Sequence, residues 1–174
     1  MIGNLSYEEM DTLAESVAIG SEGLTILPFG NGAERMLGNR NVGAKISGID
    51  FNRHARAHIC RAIQEGIVFS FQYGLEAMRE TGIDPTTIRA GFANMFMSDV
   101  FCNTLSGISG TTIELYDTDG ALGAARGAGI GAGIYNSFDE AFASLKKQKS
   151  IAPNSDNYGE AYKRWKDELE KMLI

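Results

Sequence analysis

The tract TDGALGAARGAGIGAG, residues 118–133, leaves a chain few ways to fold around it. From Gly120 to Gly133 every residue except Leu122, Arg126 and Ile130 is Gly or Ala. The tract follows TTIELYD (Thr111–Asp117), a run rich in β-formers that reads as a strand. It is therefore either a loop whose bare backbone wraps a phosphate or a helix with almost no side chains. As a dinucleotide fingerprint, Gly127-x-Gly129-x-x-Ala132 matches in form. The glycines of that motif belong in the turn directly after the strand, with an acidic residue closing the next strand about 20 residues on. Here the strand ends near Asp117, well before Gly127, and Asp139, at the right distance, begins a helix pattern. A Walker loop needs Gly-Lys followed by Ser or Thr, and no such triplet occurs.

The helical reading is the more consistent one. Thr118 or Asp119 caps it, and Gly120, Gly123 or Ala124, Gly127 and Gly131 recur at helical spacing, as do Ala121, Ala125, Ala128 and Ala132. Each interior Gly costs about 1 kcal/mol against Ala. Close approach of a neighbouring helix or a ligand is the expected compensation. Residues 119–121 would then start a helix at the carboxyl end of a strand, where ligands bind in open α/β sheets. Helix packing with no ligand stays open as the other reading.

The rest of the chain supplies the layers. Residues 5–18 form an amphipathic helix pattern with Leu5, Met10, Leu13 and Val17 on one side. Residues 23–29 (GLTILPF) and 44–50 (AKISGID) read as strands, separated by a Gly-punctuated loop. Asn52 is a good N-cap for a long helix over 53–80, with Ile59, Ile63, Ile67, Phe71, Leu75 and Met78 as its buried stripe and Gly82 as its stop. A strand near Thr87–Phe92, a helix capped by Ser98 and running to about Leu105, and a helix over 138–147 follow. KSIAPNSDN reads as a linker, and Tyr158, Tyr162, Trp165, Leu169 and Met172 mark one face of a C-terminal helix. Alternation of this kind means an α/β fold, and 174 residues suit one domain.

A net charge of −6 argues against nucleic acid or an anionic membrane as the main partner, while leaving room for a small anion held by backbone amides. Cys60 and Cys102 make no disulfide framework, there is no signal-peptide pattern, and no apolar run spans a bilayer; a cytoplasmic, reduced setting is expected. His54 and His58 stand one helical turn apart but lack a third ligand, so they read as surface or loop-packing residues. Asp117 and Asp119 suit caps and turns better than acid–base work. Glu34 and Arg35 stand out slightly, in a loop after a buried strand.

In chain order, these segments resemble the C-terminal domain of the FGGY family of carbohydrate kinases, nearest its xylulokinase branch. GLTILPFGNGAER is similar to that family's strand and loop ending in Gly-x-x-Arg or Gly-Glu-Arg. GAKISGIDFNRHARAHICRAIQEGIVFSFQYGLEAM resembles its signature, a small-x-apolar-x-Gly-apolar start, then His-apolar-x-x-Ala on a long helix reaching Glu-Gly. Residues 88–135 resemble its nucleotide-site strand, helix, strand and final Gly-rich helix. The likeness covers roughly residues 5–170. It implies an actin-like, ribonuclease H-like α/β domain, incomplete at its N-terminal end, with a mixed sheet flanked by helices. Residues 1–150 would be that domain and 151–174 a linker and amphipathic helix.

The resemblance further implies ATP and Mg2+ as cofactors and phosphoryl transfer to a ketose, D-xylulose, in a full-length enzyme. Gly91, Ala93 and Asn94 would line the adenosine side, Gly120 would lie near the same nucleotide, and Gly30, Asn31 and Gly32 would sit by the cleft. It puts no catalytic residue and no metal ligand in this chain, because the family's catalytic aspartate lies in its other half. The isolated chain is therefore expected to be inactive. Two local departures stand out: Ala90-Gly91-Phe92-Ala93 where the family commonly has Gly-Gly-Gly-Ala, and Gln64 at a usually apolar helix position. An unfinished sheet would leave an open edge for pairing with a second copy or another chain, so a non-catalytic pairing module is the other reading.

Overall fold

A computed structural model describes residues 4–174. The chain opens with a helix, α1 (Tyr7–Glu15), held by a reciprocal cap: the Glu9 amide donates to the Ser6 hydroxyl and the Ser6 amide to the Glu9 carboxylate. β1 (Thr25–Phe29) and β2 (Gly43–Ser47) form an antiparallel two-stranded sheet, with Thr25 opposite Ser47 and Phe29 opposite Gly43. The long helix α2 (Arg56–Glu80) leads into β3 (Thr87–Gly91). α3 (Asp99–Ser109) then crosses over to β4 (Thr112–Tyr116), which pairs with β3 in parallel. α4 (Gly120–Gly131) and a short α5 (Phe138–Phe142) follow. β5 (Lys147–Ile151) returns antiparallel to β4, giving the order β3-β4-β5, and α6 (Gly159–Leu173) ends the chain.

One core joins the two sheets. Leu27 and Phe29 from β1, Val68 and Phe69 from α2, Phe101 and Leu105 from α3, and Ile113 and Leu115 from β4 meet Trp165 and Leu169 of α6. Trp165 is wholly buried; its ring tilts against Phe29 and its Nε1–H donates to the Ile26 carbonyl at 3.0 Å. The indole thus fills the centre while its single polar atom is satisfied. α2 lies hard against β1: a Cβ at Gly66 would stand 2.2 Å from the Ile26 oxygen, so only glycine fits there.

Four expectations need correction. The long helix starts at Arg56, and Asn52 does not cap it; the Ala55 amide donates to Nδ1 of His58 at 3.1 Å instead. The stripe expected on α2 is only half-covered, with Phe71 and Met78 exposed. The deeply buried face carries Arg61, Gln64, Glu65 and Gln72 beside Val68 and Phe69. Glu65 explains this: it takes the Arg61 Nε–H at 2.7 Å, the Gly20 amide at 3.0 Å and the Ser21 hydroxyl at 3.3 Å. A buried charge paired and hydrogen-bonded in this way can sit where a hydrophobic residue was expected. Third, the expected linker is partly strand, since β5 takes residues up to Ile151, and the helix expected over 138–147 ends at Phe142.

The fourth correction concerns α4. It is a helix capped by Asp119, whose carboxylate accepts from the Leu122 amide at 2.8 Å. Among the described residues, however, its glycines make almost no close packing. A Cβ on Gly120, Gly123, Gly127 or Gly131 would meet nothing within 4 Å. Only Gly129 is pressed, by the Tyr135 ring at 2.8 Å. α4 is therefore largely bare, and its main packing partner is α5.

Candidate functional site

Parallel pairing sets the carboxyl ends of β3 and β4 side by side, Gly91 opposite Tyr116. Beyond that pair the two exits stay in contact. The Phe92 amide donates to the Tyr116 carbonyl at 2.8 Å, as does the Thr118 amide, and the Ala93 amide turns back to the Gly91 carbonyl at 2.9 Å. A Cβ at Gly91 would lie 2.2 Å from the Thr118 oxygen and 2.9 Å from its carbonyl carbon. Gly91 is thus fixed by backbone meeting backbone. Asn94, three residues on, has φ of 54°, the left-handed region that Asn tolerates better than most residues. Strained backbone of this kind clusters at ligand sites.

Two clefts flank this junction. One of about 330 Å³ is lined by Gly91, Ala93, Asn94 and Gly120, with Phe71 and Phe96 as apolar walls. The other, about 530 Å³, opens on the opposite side between Arg89, Tyr116 and Thr118 and the Phe138 and Phe142 rings of α5. Gly120 and Asp119 border both. The bare backbone at Gly120 and Gly123 leaves room that a side chain would otherwise fill.

The structure therefore brings Gly120, at the start of α4, against the segment Gly91–Asn94 that leaves β3. It does not bring Gly30, Asn31 and Gly32 to them: these lie in the loop leaving β1, in the other sheet, and line neither cleft. Sequence reasoning missed Arg89, Tyr116, Thr118, Phe138 and Phe142. Strand alternation could have found the first two, since Arg89 and Tyr116 share the face of the sheet opposite Ile88 and Leu115.

Charge at this corner is mostly spoken for. Glu114 is gripped by Lys147, by Arg89 at 3.0 Å and by the Tyr116 hydroxyl at 2.9 Å, which holds its carboxyl down at about 2. Arg89 is accordingly paired within the sheet. Asp117 accepts the Lys146 amide at 2.7 Å, and Asp119 caps α4. No group of three His, Cys, Asp or Glu among the described residues is placed to hold a metal ion. His54 accepts the Asp50 amide at Nδ1 (2.9 Å) and His58 accepts that of Ala55, so both rings tie down the approach to α2. Cys60 and Cys102 are buried, and burial pushes the Cys102 thiol up to about 11. Such a thiol is a packing group and a poor nucleophile.

Residues 3–132 match the family model described as "FGGY family of carbohydrate kinases, C-terminal domain". The chain belongs to the FGGY family of carbohydrate kinases. Among curated relatives of this FGGY chain, the xylulose kinase of Haemophilus influenzae is 32% identical, over 97% of this chain and 35% of its own length. The L-xylulose/3-keto-L-gulonate kinase of Escherichia coli is 34% identical, over 83% of this chain and 28% of its length. The FGGY chain thus spans about a third of the length of these relatives. Among solved structures, ligand-bound xylulose kinase from Lactobacillus acidophilus matches with a TM-score of 0.80 at 18% identity, over 97% of this chain and 35% of that one. Glycerol kinase of Plasmodium falciparum with ADP gives 0.75 at 24% identity, over 97% and 34%. At these identities the likeness is one of fold, part of the actin-like fold of such kinases. No helix among the described residues is long and apolar enough to cross a membrane.

Proposed function

We propose that this chain is the nucleotide-side portion of an ATP-dependent, Mg2+-using sugar kinase of the cytoplasm, whose acceptor is a ketose, D-xylulose. The observation that carries the reading is the meeting of Gly91, Ala93, Asn94 and Gly120 at the carboxyl ends of two parallel strands. That is where an open α/β sheet takes its ligand. In this reading residues 1–150 carry the kinase domain, and residues 151–174 a linker and helix.

The corner suits a nucleoside better than a triphosphate. Gly91, Ala93 and Gly120 keep the backbone accessible, Asn94 offers both donor and acceptor, and Phe71 and Phe96 supply apolar walls for a base. Asp119 borders the cleft and repels phosphate oxygens, so the phosphates and their Mg2+ would extend away from it. ATP supplies the transferable phosphoryl group when bound. Transfer needs positioning and charge stabilisation more than covalent help from the protein. This chain holds the nucleotide end in place, and the sugar pocket and proton-accepting carboxylate belong to the two thirds of a family member that it does not span. Gly30, Asn31 and Gly32 enter this reading as loop residues by the cleft of the whole enzyme.

Two measurements test it. Titration calorimetry with millimolar ADP should show weak binding that Asn94→Ala reduces; no heat at that concentration overturns nucleotide binding. The pure chain with ATP, Mg2+ and D-xylulose should form no ADP above background, whereas a polypeptide joining it to the rest of a family member should. If that longer protein phosphorylates no ketose or polyol, the sugar-kinase reading fails. The open side of β3 favours a second reading, a non-catalytic module that pairs with itself or another chain. Light scattering that finds a monomer at high concentration removes self-pairing.

A further inference from the structure

A series of hydrogen bonds crosses three helices and ends at the smaller cleft. Asp11 of α1 accepts from Nε2 of Gln64 on α2 at 2.7 Å, and Gln64 Oε1 accepts from the Ser98 hydroxyl at 2.7 Å. That hydroxyl accepts in turn from the Phe101 amide, in the first turn of α3, at 3.2 Å. Each group has one role open to it. A carboxylate only accepts, so the amide nitrogen of Gln64 faces Asp11 and its oxygen faces Ser98. The Ser98 proton is then committed to Gln64, which leaves the hydroxyl's lone pairs for the helix amide. The series is polarised in one direction, from the positive start of α3 to the negative charge on α1, and hydrogen bonds so linked strengthen one another. Gln64 and Ser98 are 5% and 3% exposed, so both inner links lie out of water.

Ser98 is also where the cleft segment ends. Ala93, Asn94, Met95 and Phe96 line the cleft, and Phe101 lines it from α3. The Phe96 amide turns back to the Ala93 carbonyl at 3.2 Å, and the Ser98 amide to the Met95 carbonyl at 3.1 Å. Asn94, with its φ of 54°, therefore sits between two fixed points. Gly91, pressed on Thr118, is the one before it, and Ser98, tied to Gln64, is the one after. An apolar residue at position 64 could pack between the helices but would leave the buried Ser98 hydroxyl without its acceptor.

We propose that Gln64 and Asp11 are positioning residues for the nucleotide: acting through Ser98, they set the placement of Asn94 and Phe96, although neither lines the cleft. This rests on the nucleotide reading of that cleft, and not on which sugar is phosphorylated. Gln64 carries the link because it alone meets both partners, and Asp11 matters because it fixes which way the Gln64 amide points.

Titration calorimetry with ADP and amide hydrogen exchange test this on the chain itself. Gln64→Leu should weaken ADP binding by about three- to tenfold and speed exchange at the Phe96, Ser98 and Phe101 amides. Asp11 is half-buried, so Asp11→Ala should fold even if Gln64→Leu does not, and it should act in the same direction. Asp11→Asn keeps an acceptor oxygen for Gln64 and should restore both readouts toward the parent. Gln64→Leu combined with Asp11→Ala should be no worse than Gln64→Leu alone, because links in series break once. Glu168→Gln, which removes the carboxylate paired with Lys45 at 2.8 Å, should lower stability yet leave ADP binding and the three amides as they are. A merely structural role would instead make ADP binding follow stability across all these variants, and that result overturns the inference. So does an Asp11→Asn variant as impaired as Asp11→Ala, or a pair of losses that add. ADP binding in the parent that Gln64→Leu and Asp11→Ala leave unchanged removes this inference and spares the nucleotide reading. If the parent binds no ADP, the nucleotide reading falls, and exchange at the three amides alone decides whether Gln64 and Asp11 place the segment.

Discussion

At the scale of single residues, Gly91 has the sharpest requirement. Its missing side chain lets the β3 exit touch the Thr118 carbonyl, so Gly91→Ala must push two backbones apart. Overpacking of this kind costs roughly 1–3 kcal/mol. Urea unfolding should show that loss together with weaker ADP binding; an unchanged midpoint would mean the exits are looser than described. Glu168 gives a pH-dependent case. Lys171 at 2.5 Å and Lys45 at 2.8 Å hold its carboxyl at about 2, below its ordinary 4.5. A depressed folded value means the stabilisation is present above about pH 4.5 and is lost as pH falls toward 2. Glu168→Gln should therefore lose stability relative to the parent at neutral pH, and the difference should shrink through that window. Because the pair is partly solvated, added salt should narrow the difference at neutral pH as well.

At the scale of elements, α4 carries the least expected property. Its exposed glycines meet nothing, so Gly127→Ala should stabilise the isolated chain by about 1 kcal/mol, seen as a higher unfolding midpoint. Gly120→Ala should gain similarly but bind ADP less well, because Gly120 borders the clefts and Gly127 does not. Equal binding by both variants would detach α4 from the nucleotide. That α4 is a helix capped at Thr118 or Asp119 was legible from the spacing of its small residues and the strand before it; the structure gives the cap to Asp119. That among the described residues little beyond α5 packs on it was not legible, because the same spacing describes a helix buried against a neighbour and one in water. α2 shows the reverse limit. Its length could be read from the period of Ile59, Ile63, Ile67 and Phe71. Its buried face could not, since Arg61 and Glu65 look like surface residues until the Gly20 amide and Ser21 hydroxyl converge on them. Gln64, an oddity in the sequence, proves to be a tie: its amide donates to Asp11 and its oxygen accepts from Ser98, each at 2.7 Å. Of the candidate cleft, the resemblance named Gly91, Ala93, Asn94 and Gly120, which the structure sets along one wall. The site was not legible at Phe138 and Phe142, which reach their cleft only through the fold.

At the scale of the molecule, α6 is what makes one core of two small sheets. Trp165→Ala should remove about 3–5 kcal/mol, a large part of the stability of a domain this size. Trp165→Phe keeps most of the packing but leaves the Ile26 carbonyl without its donor, and should cost about 1 kcal/mol. As the only tryptophan, Trp165 reports on its own loss of structure, so fluorescence and circular dichroism should give coincident curves in the parent chain. α4 stands apart from this core, leaning on α5, so the proposed nucleotide corner has one wall anchored in the core and one held mainly by α5. If that second wall frays, a ligand that needs both has its apparent affinity diluted by the fraction of molecules in which the wall is out of place. Weak binding by the isolated chain would then measure the readiness of α4 as much as the fit of the base, and whatever steadies α4 would act as a silent activator of the site.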